Sequence, residues 1–283
     1  MDYPYIKGIL TFMSILLISN FAMCCESSLD EEISFEPLFR YDLPTNLRYA
    51  QGMDIYDGCV FQAFSDGTID VFDLGTGNKI QTLGPLLDEE GMVLHMNDLT
   101  FLQSDGSTCL ITSGNRINTN IHLFKLAVNS GKFNIEKEEL LSPPMIDETI
   151  NKETIQYFGA GEYCVQVGYR HADNDGYGDS LIECYRFEPL SQEIKYSQMW
   201  SRVYNKLWAM QGAVIIGDNC FMAVGVPHGE AKIYRINLNN GDLSCYKDFR
   251  KSTDLIPNEE MQGLTFYDNS FYFSTTYGLY KLL

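Results

Sequence analysis

The sequence predicts an all-β fold: a five-bladed β-propeller of four-stranded antiparallel blades, with the last blade closed by an N-terminal strand. Three observations carry that expectation. A pattern of four apolar segments separated by turn residues recurs five times. Cysteines and aromatic residues return at matching places within it. The last copy lacks its fourth strand, and an unassigned strand stands just before the first copy.

Taking the chain in order, residues 1–25 read as a signal peptide with a lipidation site. Residues 26–32 read as an acidic export tether and 33–283 as the propeller. Lys7 precedes an apolar run from Gly8 to Met23. At about 16 residues this run is short for a membrane-spanning helix and suits a signal-peptide core. Cys24-Cys25 follows, then Glu26 through Glu32 with four acids. An apolar run ending at a Cys resembles a bacterial lipoprotein signal. Cys25 is the expected lipidated residue, because Cys24 is small enough for the position before cleavage and Met23 is not. The acidic tract resembles the surface-export signal of Bacteroidota lipoproteins, which implies an outer-membrane or cell-surface location and membrane contact through the lipid alone. An ordinary cleaved signal and an uncleaved anchor are the alternative readings.

Gln51 to Ile80 hold the first copy, with hairpin signals at Asp57-Gly58, Asp66-Gly67 and Gly75-Thr76-Gly77. The second runs from Met96 through Cys109 and Ile121–Leu126 to Phe133. The third holds Gln156, Cys164 and Ile182–Phe187, and the fourth Met210–Ile215, Cys220 and Lys232–Ile236. A fifth begins at Met261, continues through Phe271 and stops after Gly278–Leu282. The spacing averages about 50 residues, which suits four-stranded propeller blades. Ile33–Tyr41 can supply the missing strand and remove the exposed edge. A β-sandwich is the structural alternative, but it would not require the same residue types to recur in register.

The recurring positions also give the cysteines a reading. Cys59, Cys109, Cys164 and Cys220 are expected at one shared position of the second strand, as small packing residues, with Ser270 or Phe271 in the fifth blade. Equivalent positions in different blades lie too far apart to bridge. A Cys184–Cys245 disulfide is left open. Phe72, Phe124, Tyr185, Tyr234 and Tyr280 are expected to form an aromatic stripe in the core between blades.

The first strand of each blade is the innermost one. Gln51, Asn97, Gln156, Gln211 and Gln262 are expected at its start, five amides around the mouth of the axis, with Asp98 beside them where other blades have Gly. A carboxamide both donates and accepts hydrogen bonds and does not titrate near neutral pH. Such a ring can hold a water, an ion or a polar ligand, but supplies neither general base nor nucleophile. It can equally lock each blade to the next. The glycines after Gln51, Gln211 and Gln262 suit close backbone approach near the axis.

Bulk composition narrows the partners. The 283 residues carry a formal net charge of −18, with 20 basic residues among 38 acidic ones. A phosphate backbone needs clustered cations, so nucleic acid and anionic membrane surfaces are set aside. The remaining partner classes are a polar small molecule, a glycan or a protein. No cofactor is implied except calcium. The segment His171 to Asp179 resembles the Asp-rich loops of thrombospondin-type repeats, with Asp173, Asp175 and Asp179 as oxygen ligands. It departs from an EF-hand at His171 and lacks the closing Glu, and a solvated acidic hairpin is the alternative.

No catalytic set stands out. Five-bladed arabinanase-like glycosidases draw three acids from separate inner strands, whereas only Asp98 and Asp54 are candidates here. His95 lies near Asp98 in the sequence, and His122 and His228, on or near outer strands, do not suggest a metal set. The Gln-Gly-Leu start at Gln262 and the Asp73-Leu-Gly-Thr-Gly77 turn resemble glutamine cyclotransferase propellers. That resemblance implies a fold, and a fold hosts many functions. The expectation is therefore a non-catalytic binding propeller, with a cyclotransferase-like or glycan-processing enzyme as the alternative.

Overall fold

Antiparallel hairpins build every layer of the molecule. In the computed structural model, the described residues are 34–41, 48–88, 90–96, 98–104, 107–113, 121–141, 154–158, 163–170, 179–188, 195–204, 207, 210–225, 231–249 and 259–283. Residues 1–32, where the sequence suggests a signal and tether, lie outside them.

Blade 1 comprises β2 (Ala50–Tyr56), β3 (Cys59–Phe64), β4 (Ile69–Asp73) and β5 (Lys79–Leu83), after the closing strand β1 (Phe35–Arg40). Blade 2 is β6 (Thr100–Ser104), β7 (Ser107–Ser113), β8 (Ile121–Asn129) and β9 (Lys132–Leu141). Blade 3 is β10 (Thr154–Phe158), β11 (Tyr163–Arg170), β12 (Asp179–Glu188) and β13 (Lys195–Tyr204). Blade 4 is β14 (Met210–Ile216), β15 (Asn219–Val224), β16 (Lys232–Asn237) and β17 (Leu243–Asp248). Blade 5 is β18 (Met261–Tyr267), β19 (Ser270–Thr275) and β20 (Gly278–Leu282), completed by β1. The chain is thus an all-β, five-bladed propeller. The turns follow from local chemistry: Asp57 and Gly58, at φ 49° and 71°, supply the two left-handed residues of a two-residue hairpin.

Ring closure is antiparallel. Phe35 pairs with Leu282 and Arg40 with Gly278. The hydrogen bonds continue past both strand ends, from Leu283 N to Ser34 O (3.0 Å) and from Tyr41 N to Tyr277 O (2.9 Å). Side chains reinforce the seam. The buried Glu259 carboxylate accepts from Arg40 Nη1 at 2.7 Å, from Tyr280 OH at 3.0 Å and from Thr275 Oγ1.

Glycines set the distance between inner strands. A Cβ on Gly212 would stand 2.5 Å from Gly263 Cα, and one on Gly52 would stand 2.5 Å from Asp98 Cα. A Cβ on Gly263 would stand 3.0 Å from Met53 N. These contacts link blades 4, 5, 1 and 2 in order around the axis.

The aromatic stripe holds as expected. Phe72 packs with Tyr272 and Leu279 of blade 5, and Phe124 with Phe61 and Ile69 of blade 1. Tyr234 lies against Val165 and Ile182 of blade 3, and Tyr280 stacks on Phe273 beside Phe249 of blade 4. Each faces the preceding blade, and Tyr185 is likewise buried.

The cysteines do not share one position. The turn Gly217-Asp218 places Asn219, not Cys220, at the place of Cys59: Ile216 pairs with Asn219 as Tyr56 pairs with Cys59. A one-residue offset turns a side chain to the other face of its sheet. Cys220 therefore faces blade 3, while Cys59 packs toward blade 2. Cys164 and Cys220 are buried, and Cys59 and Cys109 are only half-buried. No disulfide joins Cys184 and Cys245, so the bridge left open by the sequence is not formed. Cys184 instead lies in the core between blades 3 and 4.

Candidate site at the axial mouth

A β-bulge opens three of the five inner strands. In β14, Met210 pairs with Val224 and Gly212 with Ala223, leaving Gln211 as the extra residue. Gln262 is extra in the same way between Met261 and Gly263 of β18. In β2 the register shifts between Ala50 and Met53, around Gln51. A bulged residue leaves the ladder and its side chain is re-aimed. The Gln-Gly pairs read from the sequence are therefore bulge-and-contact units: the amide leaves the ladder and the glycine admits the next blade.

Gln156 is placed differently. It is the third residue of β10, paired with Gln166 in a ladder with no bulge. Its side chain, like all of Asn97, lies outside the described residues, which leaves three of the five expected amide side chains described.

Two of them converge on a residue the sequence reading passed over. Gln211 Nε2 donates to Glu260 Oε1 at 3.0 Å, across the boundary between blades 4 and 5. Gln262 is placed to stabilise the Glu260 carboxylate as well. Burial raises the pKa of Glu260, and the two amides oppose that rise by stabilising the anion. Gln51 turns its Nε2 to Ala50 O at 3.0 Å.

Behind the bulges stands a second polar layer. Buried Gln62 on β3 donates to Gln51 O (2.8 Å) and Gly52 O (3.2 Å), and its Oε1 accepts from Tyr41 OH (2.7 Å). Thr112 Oγ1 on β7 donates to Asp98 O at 2.6 Å. Gln62 holds carbonyls that the β2 bulge frees from the ladder, and Thr112 holds a carbonyl just before β6.

Asp98 and Asp54 lie deeper. Asp98 is 3% exposed, and its pKa is raised well above the ordinary carboxylate value, mainly by burial, with the charge of Asp54 adding to it. Thr100 Oγ1 donates to Asp98 Oδ2 at 3.2 Å. Asp54 joins three blades: it accepts from Thr265 Oγ1 (2.5 Å), Phe101 N (2.8 Å) and Ile55 N (2.8 Å). Burial still pushes its pKa up to about 6. Its hydrogen bonds make Asp54 a cross-blade staple.

The mouth has a defined rim. In an antiparallel meander the end of the second strand and the start of the third lie beside the start of the first. Ser65 N donates to Tyr49 O, and Thr276 N to Glu260 O, both at 2.9 Å. Tyr49 and Tyr277, each 47% exposed, thereby stand next to Gln51 and Glu260. Of the proposed calcium ligands, Asp179 opens β12 opposite Arg170, while Asp173 and Asp175 lie outside the described residues.

No protein-family model matches the chain, and no curated protein matches it. Among solved structures it is similar to the crystal structure of Myxococcus xanthus glutaminyl cyclase. The two share 9% identity over 89% of this chain and 96% of that one, with a TM-score of 0.49. It is also similar to the computationally designed Ika8 protein, at 12% identity over 87% of this chain and 99% of that one, with a TM-score of 0.37. The fold assignment itself rests on the five sheets and their closure.

Proposed function

We propose that this is an exported, lipid-anchored, non-catalytic propeller that binds a polar ligand or protein partner at the mouth of its axis. One observation carries the binding reading: Gln211 and Gln262, from adjacent blades, meet on the half-buried Glu260 carboxylate. This gathers donors and acceptors at one rim, where a few convergent polar groups can orient a ligand. The amides also tie blade to blade, so the same contacts that lock the ring hold the site rigid. Export and anchoring are supported by the apolar run from Gly8 to Met23, Cys25 and the acids that follow. Calcium at Asp173, Asp175 and Asp179 belongs to this proposal as a flanking site.

The binding claim is tested by thermal-shift screening of the purified domain against glycans, peptides and Ca²⁺. A stabilising glycan or peptide should lose its effect in Gln211→Leu/Gln262→Leu, whereas stabilisation by Ca²⁺ should be lost in Asp173→Asn/Asp175→Asn instead. A glycan or peptide bound equally well by the Gln variant would remove the mouth from the proposal. Anchoring is tested by incorporation of labelled palmitate, lost in Cys25→Ser and kept in Cys24→Ser.

A second reading is an enzyme of cyclotransferase-like or glycan-processing type. It is favoured by Glu260 and Asp98, two carboxylates with raised pKa near one opening, as proton-transfer groups often are. Burial of Asp98 and the two amides already on Glu260 weigh against it. Turnover of N-terminal-Gln peptides or glycans, abolished by Glu260→Gln or Asp98→Asn, would replace the binding reading.

A further inference from the structure

We infer that the mouth takes a neutral oligosaccharide, with sugar rings lying on Tyr277 and Tyr49. The inference rests on the ligand-binding reading above and names the ligand class for that site.

The two tyrosines are the starting point. Each is 47% exposed, and among the described residues neither ring stacks on another ring or makes a side-chain hydrogen bond. Their backbones, by contrast, are fixed. Tyr277 N donates to Thr275 Oγ1 at 3.2 Å, and Tyr277 O accepts from Tyr41 N at 2.9 Å. Tyr49 N donates to Ser65 Oγ at 3.0 Å, and Tyr49 O accepts from Ser65 N at 2.9 Å. Two open aromatic faces are thus mounted on adjacent blades, 5 and 1, at the rim of the polar mouth.

A sugar ring has both surfaces that this arrangement needs. Its C–H face is apolar and matches an aromatic face, while its hydroxyls both donate and accept. Carboxamides have the same dual capacity, and Gln51 and Gln262 open the inner strands of the same two blades. Tyrosine suits such a contact, with an apolar body and a polar tip.

Charge selects the neutral class. Among the described residues, Arg40 and Arg48 by this rim are already paired: Arg40 with Glu259 at 2.7 Å, and Arg48 with Asp66 at 2.9 Å and Asp70 at 2.8 Å. Glu260 and Asp98 remain, in a chain of net charge −18. That field repels uronates, sulfates and phosphates. A hydroxyl can donate to Glu260 without a compensating charge.

The probes are cellohexaose, xylohexaose, arabinohexaose and mannohexaose, with an oligogalacturonate, a chitosan oligomer and N-terminal-Gln tripeptides as the anionic, cationic and non-sugar arms. Titration calorimetry is run on wild type, Tyr277→Ala, Tyr49→Ala, Tyr277→Phe and Gln211→Leu. At least one neutral hexasaccharide should bind. Either Tyr→Ala change should weaken it about tenfold or more with unchanged thermal stability, and Tyr277→Phe should retain affinity. Failure of all four neutral sugars overturns the inference, as does neutral-sugar binding that both Tyr→Ala variants keep. If a peptide or charged oligomer binds instead and Gln211→Leu abolishes it, the mouth stands and the sugar class falls. Binding of any probe that Gln211→Leu leaves untouched removes the mouth itself.

Discussion

Gly212→Ala should loosen the ring at a single point. The added Cβ would lie 2.5 Å from Gly263 Cα, 2.7 Å from Gly263 C and 2.7 Å from Leu264 N. Non-bonded carbons settle at about 3.5–4.0 Å, so the overlap is about 1 Å, and all three atoms are backbone. No rotamer can relieve it; blades 4 and 5 must separate or tilt. Overpacking costs about 1–3 kcal/mol, and a clash between two backbones belongs at the upper end. For a domain of this size, about 3 kcal/mol lowers Tm by roughly 6–12 °C. Gly58→Ala is the internal control: its φ of 71° is unfavourable for alanine, but nothing lies within 4 Å of the new atom. That change should cost only about 1 kcal/mol. Differential scanning calorimetry of both variants checks the ordering. A Gly212→Ala protein that unfolds no lower than Gly58→Ala would refute close approach of the inner strands as the reason for the Gln-Gly pairs.

Three more outcomes follow from the same contacts. Stability should fall as pH rises from about 4 to about 7, because Asp54, ordinarily at 3.8, titrates near 6 when folded and Asp98 and Glu260 are raised too. In that window the folded state holds more protons than the unfolded one, so deprotonation favours unfolding; Asp98→Asn should flatten the Tm–pH curve, and a wild-type curve that rises instead would contradict it. Glu259→Gln should weaken the seam by about 1–3 kcal/mol, since Arg40, Thr275 and Tyr280 lose a shared anion. Urea unfolding measures that cost, and faster proteolysis ahead of Phe35 would locate it at β1. Ellman's reagent should leave Cys164 and Cys220 unmodified until the protein unfolds, because burial raises both thiols well above their ordinary pKa, whereas the half-buried Cys59 should react earlier.

Blade count and closure were legible because they depend on periodicity. Four-strand spacing, turn dipeptides and the unmatched strand at Phe35–Arg40 all survive errors of one residue. Side-chain direction does not. Cys59 and Cys220 look equivalent by residue type, yet the turn at Gly217-Asp218 shifts one against the other and sends them to opposite faces. The aromatic stripe escaped this error because its partners, such as Val60 opposite Phe72 and Leu110 opposite Phe124, keep the same parity.

The site was half legible for a related reason. Met-Gln-Gly marked Gln211 and Gln262, because the glycine has a steric cause that recurs in blades 1, 4 and 5. The carboxylate joining them left no such mark. Glu260 sits one residue before β18, outside the alternating pattern, and an acid in a chain with 38 of them draws no notice. Its partner amide is 49 residues away, so only the closed ring brings the two together. Gln62 was hidden differently. A glutamine in an alternating strand reads as solvent-facing, but this one is fully buried because the bulge at Gln51 frees carbonyls that need a donor. In blade 1 a buried amide on the second strand thus answers a bulge on the first. That pairing gives a physical reason why polar groups gather at the mouth there rather than in the apolar core between blades.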